Sequence, residues 1–371
     1  MKMFEYMGKE LFAKFGIPTP KGRMVTNPED AAKVAAEIGG PCVVKSQVLS
    51  GKRGKAGGIK FPNTPEEAKA AAKEVLAMTI QGLPVECVLV EEKLKIDKEL
   101  YMSITVDGSA KQAVMIASAY GGMEIEAQPE EYIIKKHVDP ELGMHPFFAR
   151  DVIRKMGVDL RSPHGKEMVK IVQNLYKICK EKDAELVEIN PLVFSDDKVI
   201  AADAKVTIDD DAAFRMKDLP LVDDKSPAER AAADLGLSFV ELDGDIAVMA
   251  NGAGITMGTL DTLQAFGGTP RNFLDCGGGT GREATAKALK ILLGLKPKSM
   301  FINIFGGITR CDDVANAFKD IHSELGGFPV PVVIRLVGTN QEEGRAILKT
   351  IGVEAFDFMQ DAARRVIELT K

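Results

Sequence analysis

The sequence predicts an α/β chain of two parts, the second of them a doubly wound parallel sheet, and three observations predict it. First, the C-terminal part repeats one rhythm: a short apolar run, a glycine-bearing turn, then a helical pattern. The runs are Asp245–Ala250, Asn272–Asp275, Met300–Phe305 and Val330–Leu336. Parallel strands covered on both faces read as continuous apolar runs, and strand–turn–helix units make the arrangement parallel. Second, residues 215–230, RMKDLPLVDDKSPAER, are polar and carry two prolines, the composition of a connection between domains. Third, 371 residues suit two or three domains at ~100–200 residues each. The expected domains are 1–230 and 231–371.

The elements of the first part follow from local chemistry. Met3 to Phe15 reads as an amphipathic helix, with Phe4, Met7, Leu11 and Phe15 at helical spacing. Gly16 and Pro18 end it. Asn27 caps a second helix, with Pro28 at its first position and Asp30 where a capping acid belongs. That helix runs to Gly39–Gly40. Cys42–Lys45 is a short strand, and a loop of Gly, Lys and Arg follows. Thr64–Pro65–Glu66–Glu67 opens the next helix. From Val85 to Ser118 the pattern is strands, with Asp107–Gly108 as a hairpin turn. One helical stretch covers 146–180, and a hairpin of Glu185–Phe194 with Lys198–Val206 comes after it.

Composition narrows the function classes. At 45% hydrophobic and 27% charged, the chain can bury a sizeable core. A net charge of -6 gives no bulk attraction to nucleic acid or to an acidic membrane surface. An anionic ligand would therefore need a local cluster of Lys and Arg or exposed backbone N–H groups. Cys42, Cys87, Cys179, Cys276 and Cys311 are scattered, with no C-x-x-C pair. That usage suits reduced thiols and a cytoplasmic location. The opening MKMFEYMGKELF lacks the apolar stretch of a signal peptide. No run reaches the ~18 apolar residues of a membrane span.

Four constellations carry chemistry. Val43–Val44–Lys45 leads into Gly51–Lys52–Arg53–Gly54–Lys55–Ala56–Gly57–Gly58. Glycines let a backbone approach phosphate oxygens, and Lys45, Lys52, Arg53 and Lys55 supply charge against a polyphosphate. The pattern lacks the G-K-[ST] ending of a P-loop. A solvated basic hairpin tip is the plain alternative. Glu91 and Glu99 are acids that can accept from ribose hydroxyls or an adenine amino group, or are ordinary surface residues. Glu188 and Asn190 lie two apart, hence on one face of a strand. With Asp196–Asp197 as the turn, Asn190 falls opposite Asp203, and Glu188 opposite Lys205. Opposed Cβ atoms are ~4.5–5.5 Å apart, so an amide oxygen and a carboxylate there can share Mg²⁺, or form a structural polar pair. Last come the strand-end turns Asn251–Gly254, Gly277–Gly279 and Gly306–Thr309. Ligands bind outside the carboxyl ends of strands in open α/β sheets, where helix N-termini favour anions.

His137, His145, His164 and His322 show no metal spacing and read as surface or cap residues. No nucleophile motif such as G-x-S-x-G is present. The chain thus presents a nucleotide site and an anion site without a carrier of a covalent intermediate.

These segments together resemble the β subunit of succinyl-CoA synthetase (succinate–CoA ligase, ADP- or GDP-forming). The stretches are FEYMGKELFAKFGIPTPKG, VVKSQVLSGKRGKAGG, LVEEKLKIDKELYMSITVDG, ASAYGGMEIE, LVEINPLVF, NGAGITMGTLD, NFLDCGGG and NIFGGITRCD, in family order from residue 4 onward. The resemblance implies an ATP-grasp domain over 1–230 and a flavodoxin-like acid–CoA ligase domain over 231–371. It places Lys45, Lys52, Arg53, Gly54, Glu91, Leu94 and Glu99 at nucleotide positions, and Asn190 and Asp203 at Mg²⁺ positions. Glu188 falls on the acid that faces a phosphohistidine, and Asn251, Gly307, Ile308 and Thr309 on substrate positions beside an α subunit. That separate α chain carries the phosphohistidine and the CoA site, in an αβ dimer or α2β2 tetramer. The implied reaction is succinate + CoA + ATP (or GTP) ⇌ succinyl-CoA + ADP (or GDP) + phosphate, a step of the tricarboxylic acid cycle. The family pattern has glycine where this chain has Lys52; lysine either adds charge to the phosphate contacts or crowds them. A sister malate or acetate ligase, and a nucleotide-binding subunit without turnover, are the competing readings.

Overall fold

The computed structural model describes residues 1–371 except 50–52, 123–127, 221 and 223–224. Gly51 and Lys52 of the glycine-rich loop therefore lie outside the described residues. The chain divides into two compact units, Met1–Asp224 and Lys225–Lys371. Among the described residues no helix is long and apolar enough to cross a membrane.

The first unit begins with α1 (Glu5–Lys14), β1 (Gly22–Val25), α2 (Pro28–Ile38), β2 (Cys42–Ser46), β3 (Ile59–Lys60), α3 (Pro65–Leu76), β4 (Thr79–Ile80), β5 (Leu83–Pro84) and β6 (Val88–Glu92). An antiparallel sheet forms in the order β1-β6-β2-β3. The N-caps are the side chains read from sequence: Asn27 accepts from the Asp30 N–H and Thr64 from the Glu67 N–H. Val34, Ala35, Ala68, Ala72 and Val75 of the two capped helices bury against Val44, Val88 and Val90.

The unit continues with β7 (Lys98–Asp107), β8 (Gln112–Ser118), β9 (Ile133–Val138), α4 (Pro146–Lys155), α5 (Pro163–Glu181), β10 (Ala184–Ser195), β11 (Lys198–Ala201) and β12 (Lys205–Ile208). Their sheet runs β11-β10-β7-β8-β9, with β12 also on β10. Leu100, Met102, Ile104, Val187 and Ile189 point to one face and form a core with Phe12, Ile153, Met168 and Leu175 from the helices. Strand alternation turns Tyr101, Ser103 and Glu188 to the other face.

Three local readings change. The single helix expected over 146–180 is two: Gly157 turns left-handed at φ +73, and Ser162 caps α5 by accepting from Gly165. The β7–β8 turn is longer than Asp107–Gly108. Asp107 pairs with Gln112, its carboxylate accepts from Ser109 and Ala110, and Lys111 takes the left-handed position at φ 55. In α1 the buried face is Glu5, Gly8, Lys9 and Phe12 beside Met7 and Leu11, while Phe4 and Phe15 are half-buried. The hairpin register is as read: Glu188 faces Lys205 and Leu192 faces Ala201.

The second unit contains α6 (Pro227–Ala233), β13 (Ser238–Glu241), β14 (Ile246–Ala250), α7 (Ala253–Ala265), β15 (Asn272–Asp275), α8 (Arg282–Gly294), β16 (Ser299–Gly306), α9 (Cys311–Leu325), β17 (Val332–Gly338), α10 (Gln341–Thr350), β18 (Glu354–Phe356) and α11 (Met359–Thr370). Its sheet runs β13-β15-β14-β16-β17-β18, and only edge strand β13 is antiparallel. The five parallel strands follow the flavodoxin-like order, whose switch point lies between β14 and β16. Separate cores cover the two faces, one around Phe318 and Leu289, the other around Phe301 and Val366.

One asparagine completes this sheet. Strands β14 and β15 share a backbone pairing only at Ala250 and Asp275. Further down, the fully buried Asn272 side chain accepts from the Val248 N–H at 3.0 Å and donates to the Val248 carbonyl at 2.8 Å. An amide side chain has one face of a peptide unit, so it stands in for a missing strand residue. Asn272→Ala leaves two buried backbone groups unpaired, and we expect a loss of roughly 2–4 kcal/mol. Urea unfolding of the whole chain checks this; an unchanged midpoint would refute it.

Candidate active site

Helix α1 lies close against the end of the β10–β12 hairpin because Gly8 lets it. A Cβ on Gly8 would sit 3.0 Å from the Ala204 Cβ. That approach inserts Glu5 and Lys9 beside β2 and β6. The Lys45 ammonium meets Glu5 Oε1 at 2.8 Å, Glu91 Oε1 at 2.6 Å and the Ala202 carbonyl at 2.8 Å. Lys9 meets the same three groups: Glu5 Oε1 at 2.8 Å, Glu91 Oε2 at 2.6 Å and Ala202 O at 2.8 Å. Arg53 donates through Nη1 to Glu5 Oε2 at 2.7 Å and to Ser46 O at 3.1 Å, and through Nη2 to Asp203 Oδ2 at 3.0 Å. Three acids and three bases form one network.

Its electrostatics follow from burial. Burial pushes the Glu5 carboxyl up, but Lys45, Lys9 and Arg53 together outweigh it and hold Glu5 well below the usual carboxylate range. Burial pushes Lys45 and Arg53 down, and their carboxylate partners reverse that and raise both. Asp203 goes the other way: burial and the neighbouring Glu5 charge raise it, against Arg53 and Lys45. Lys45 and Arg53 are thus permanent cations, each already holding internal anions. Glu91, expected at a ribose or base, has both oxygens on lysines.

Backbone hydrogen bonds anchor the described part of the glycine-rich loop. Gly58 accepts from the Ser46 N–H and donates to Arg53 O, and Gly57 donates to Gly54 O. Gly54 and Lys55 are exposed at its tip. Leu94 is half-buried between β6 and β7.

On the sheet face, Tyr101 Oη donates to Glu188 Oε2 and lies 3.0 Å from both that oxygen and Ser103 Oγ. Two positions along β10, the Asn190 amide accepts from the Gly122 N–H at 2.8 Å and donates to the Gly122 carbonyl at 3.0 Å. Gly122 has φ +103, and a Cβ there would lie 2.8 Å from Glu99 Oε2. Gly122 therefore brings Asn190 and Glu99 to one place. The hairpin register continues on both sides of Asn190 and Asp203, with Ala202 N–H donating to Pro191 O at 3.1 Å. One amide oxygen and one carboxylate are hard donors that suit Mg²⁺ when phosphate and water complete its shell. A cation there would replace the Gly122 and Arg53 donors. Among the described residues no group of three or more His, Cys, Asp or Glu could hold a metal alone.

In the second unit the glycine turns are tied together at the carboxyl ends of β14, β15 and β16. Asn251 accepts from the Phe305 N–H and donates to the Phe305 carbonyl, both at 2.8 Å, across the switch point. Asp275 Oδ1 accepts from Gly252 at 2.5 Å and Gly277 at 2.7 Å. Thr309, buried, accepts from the Gly279 N–H at 3.0 Å. Gly307 is exposed and Ile308 is 86% exposed beside it. The Asn251 side chain, expected at a substrate position, is engaged with Phe305.

The histidines occupy ordinary places. His137 contacts Asp107, His164 contacts the Asp196 carbonyl and stacks on Phe194, His145 precedes α4 and His322 packs on Phe328. All five cysteines are free. Sequence reasoning missed Glu5, Lys9, Tyr101 and Asp275. The signal for the first two was an i,i+4 acid–base pair on the side of α1 that also carries Gly8 and Phe12.

Residues 2–194 match the ATP-grasp domain family and residues 249–368 the CoA-ligase family. The chain is 42% identical to succinate–CoA ligase (ADP-forming) subunit beta of Pyrobaculum aerophilum, over 100% of both chains. It is 44% identical to that subunit of Desulfurococcus amylolyticus, over 100% of this chain and 99% of the relative. ATP citrate lyase of Methanothrix soehngenii, solved with citrate and coenzyme A, shares the fold over 99% of each chain at 20% identity, with a TM-score of 0.72. The first unit is thus an ATP-grasp fold and the second a CoA-ligase domain. With identity of this level running through both, the chain belongs to the family of ADP-forming succinate–CoA ligase β subunits.

Proposed function

We propose that the chain binds Mg-ATP in its first unit and acts with an α subunit as a succinate–CoA ligase. The reaction is succinate + CoA + ATP ⇌ succinyl-CoA + ADP + phosphate. The observation that supports this most directly is the convergence of Lys45, Arg53 and Asp203 in one network near Ala202, at the hairpin that carries Glu188 and Asn190. Cations held in fixed directions lower the energy of a transferring phosphoryl group without reorganising at the moment of reaction.

The steps divide between groups on this chain and on its partner. The γ-phosphorus of ATP forms a bond to an imidazole nitrogen of the α subunit as its bond to the ADP oxygen breaks. Lys45, Arg53 and the N–H groups of the loop around Gly54 neutralise the phosphate oxygens, with Leu94 and Glu99 around the nucleoside, while Glu91 stays behind them on Lys45 and Lys9. Asn190 and Asp203 would hold Mg²⁺, which supplies further charge neutralisation on the phosphates. Glu188, with one oxygen fixed by Tyr101, offers the other to the far N–H of that imidazole and keeps the attacking nitrogen unprotonated. The succinate carboxylate then takes the phosphoryl group from the histidine, and the CoA thiol displaces phosphate from succinyl phosphate. Asn251 holds Phe305 and with it the turn Gly307–Ile308–Thr309, which receives the succinate carboxylate.

Incubation with the α subunit and γ-labelled ATP is expected to place an acid-labile label on α, with ATP preferred to GTP. An unlabelled α chain would remove the proposal. Asn190→Ala and Asp203→Ala are each expected to lower Mg²⁺-dependent labelling by at least about tenfold. Unchanged Mg²⁺ titrations would dismiss the metal assignment. Tyr101→Phe removes one hydrogen bond to a charged group and should slow labelling about tenfold at saturating ATP. A labelling rate equal to that of the unmodified chain would mean that Tyr101 does not orient Glu188.

A further inference from the structure

We propose that Glu5 of α1 is the positioning residue of the phosphate-binding cations, and that Lys9 is the counter-ion that lets it serve there. The inference rests on the nucleotide site proposed above and deepens it. The Lys45 ammonium donates to Glu5 and to the Ala202 carbonyl and forms an ion pair with Glu91. Arg53 is held by Glu5 on one arm and Asp203 on the other. Among the described residues Glu5 is the one group that touches both.

Side-chain exposure gives the network an inside and an outside. Glu5 is 2% exposed, Arg53 13% and Asp203 32%. A phosphate arriving from solvent meets the Asp203 end first. If Asp203 turns to a cation, the Nη2 arm of Arg53 is released to the phosphate while Nη1 stays on Glu5. The guanidinium is a rigid planar fork, so fixing one arm fixes the direction of the other. Glu5 thereby aims Arg53 outward from behind and ties it to Lys45 on β2. Lys9 is needed because Glu5 and Glu91 are two carboxylates that share the same ammonium groups. A single lysine between them would leave a buried excess negative charge beside a site for a polyanion. Lys9 duplicates every contact of Lys45 and removes that excess.

The test uses the chain assembled with its α subunit. Glu5→Gln is expected to raise the KM for ATP about tenfold, the effect of one misdirected charge-assisted hydrogen bond, with the KM for succinate unchanged. Glu5→Asp, one methylene shorter, should fall between. Because Glu5→Gln alone strands buried cations, the decisive variant is Glu5→Gln/Lys9→Met, which removes one acid and one base and keeps the network neutral. It is expected to regain the thermal midpoint that Glu5→Gln loses and to keep the raised KM for ATP. A double variant with normal midpoint and normal KM for ATP overturns the inference. So does a KM for succinate that rises in step with that for ATP, which marks a general packing role. If the unmodified complex shows no saturable dependence on ATP, the nucleotide site itself fails, and this inference with it.

Discussion

The buried ion network around Glu5 is the interaction on which the first unit depends. Removing ionised groups from water is costly, several kcal/mol for each, and the attraction between partners offsets this only when every donor and acceptor is used. Here the pairing is dense: each lysine donates two hydrogen bonds and forms an ion pair with a further carboxylate, and Glu5 takes Lys9, Lys45 and Arg53 at once. The network joins elements far apart in sequence: α1, β2, the glycine-rich loop, β6 and the hairpin end at Ala202–Asp203. The site exists because these elements are electrostatically complementary where they meet. Gly8 permits the meeting by lacking a side chain.

The second unit solves a different problem by a related route. Its strands end in glycine turns whose backbone groups need partners before they can be offered to a ligand. Asp275 satisfies two turns with one oxygen, and Thr309 satisfies a third. The turn bearing Ile308 is thus presented on a rigid frame. Ion pairs between side chains fix the first site, and side chains gripping backbone groups fix the second.

The sequence was most legible where a residue acts through local geometry. Asn27 and Thr64 announce helix starts, and the alternation of apolar runs and glycine turns announces a parallel sheet. The Asp196–Asp197 turn was enough to align Glu188 with Lys205. Glycine, lysine and arginine together marked the loop. Long-range partners were not legible. Helical periodicity assigns polar residues to solvent, so Glu5 and Lys9 read as surface until β2 and β6 are seen beside them. Gly122 and Asn190 are 68 residues apart and meet only in the folded sheet. Edge strands β13 and β18 are too short or too polar to leave an apolar run. The break between α4 and α5 was written in Gly157 and Ser162–Pro163, under a periodic pattern that ran across it.

Asn190, Asn251 and Asn272 share one device: each grips the N–H and the C=O of a single distant residue with its amide. The device has a bearing on chemical ageing. Asparagine followed by glycine deamidates when the next backbone nitrogen attacks the side-chain carbonyl carbon, and Asn251–Gly252 is such a pair. In this fold the Asn251 amide is clamped to Phe305 and the Gly252 N–H to Asp275, so both reacting groups are engaged with other partners. The contacts that shape the switch-point crevice thus also guard its least durable bond. Were that bond converted, an aspartate would set a negative oxygen against the Phe305 carbonyl in place of a donor, and the turn would open from within.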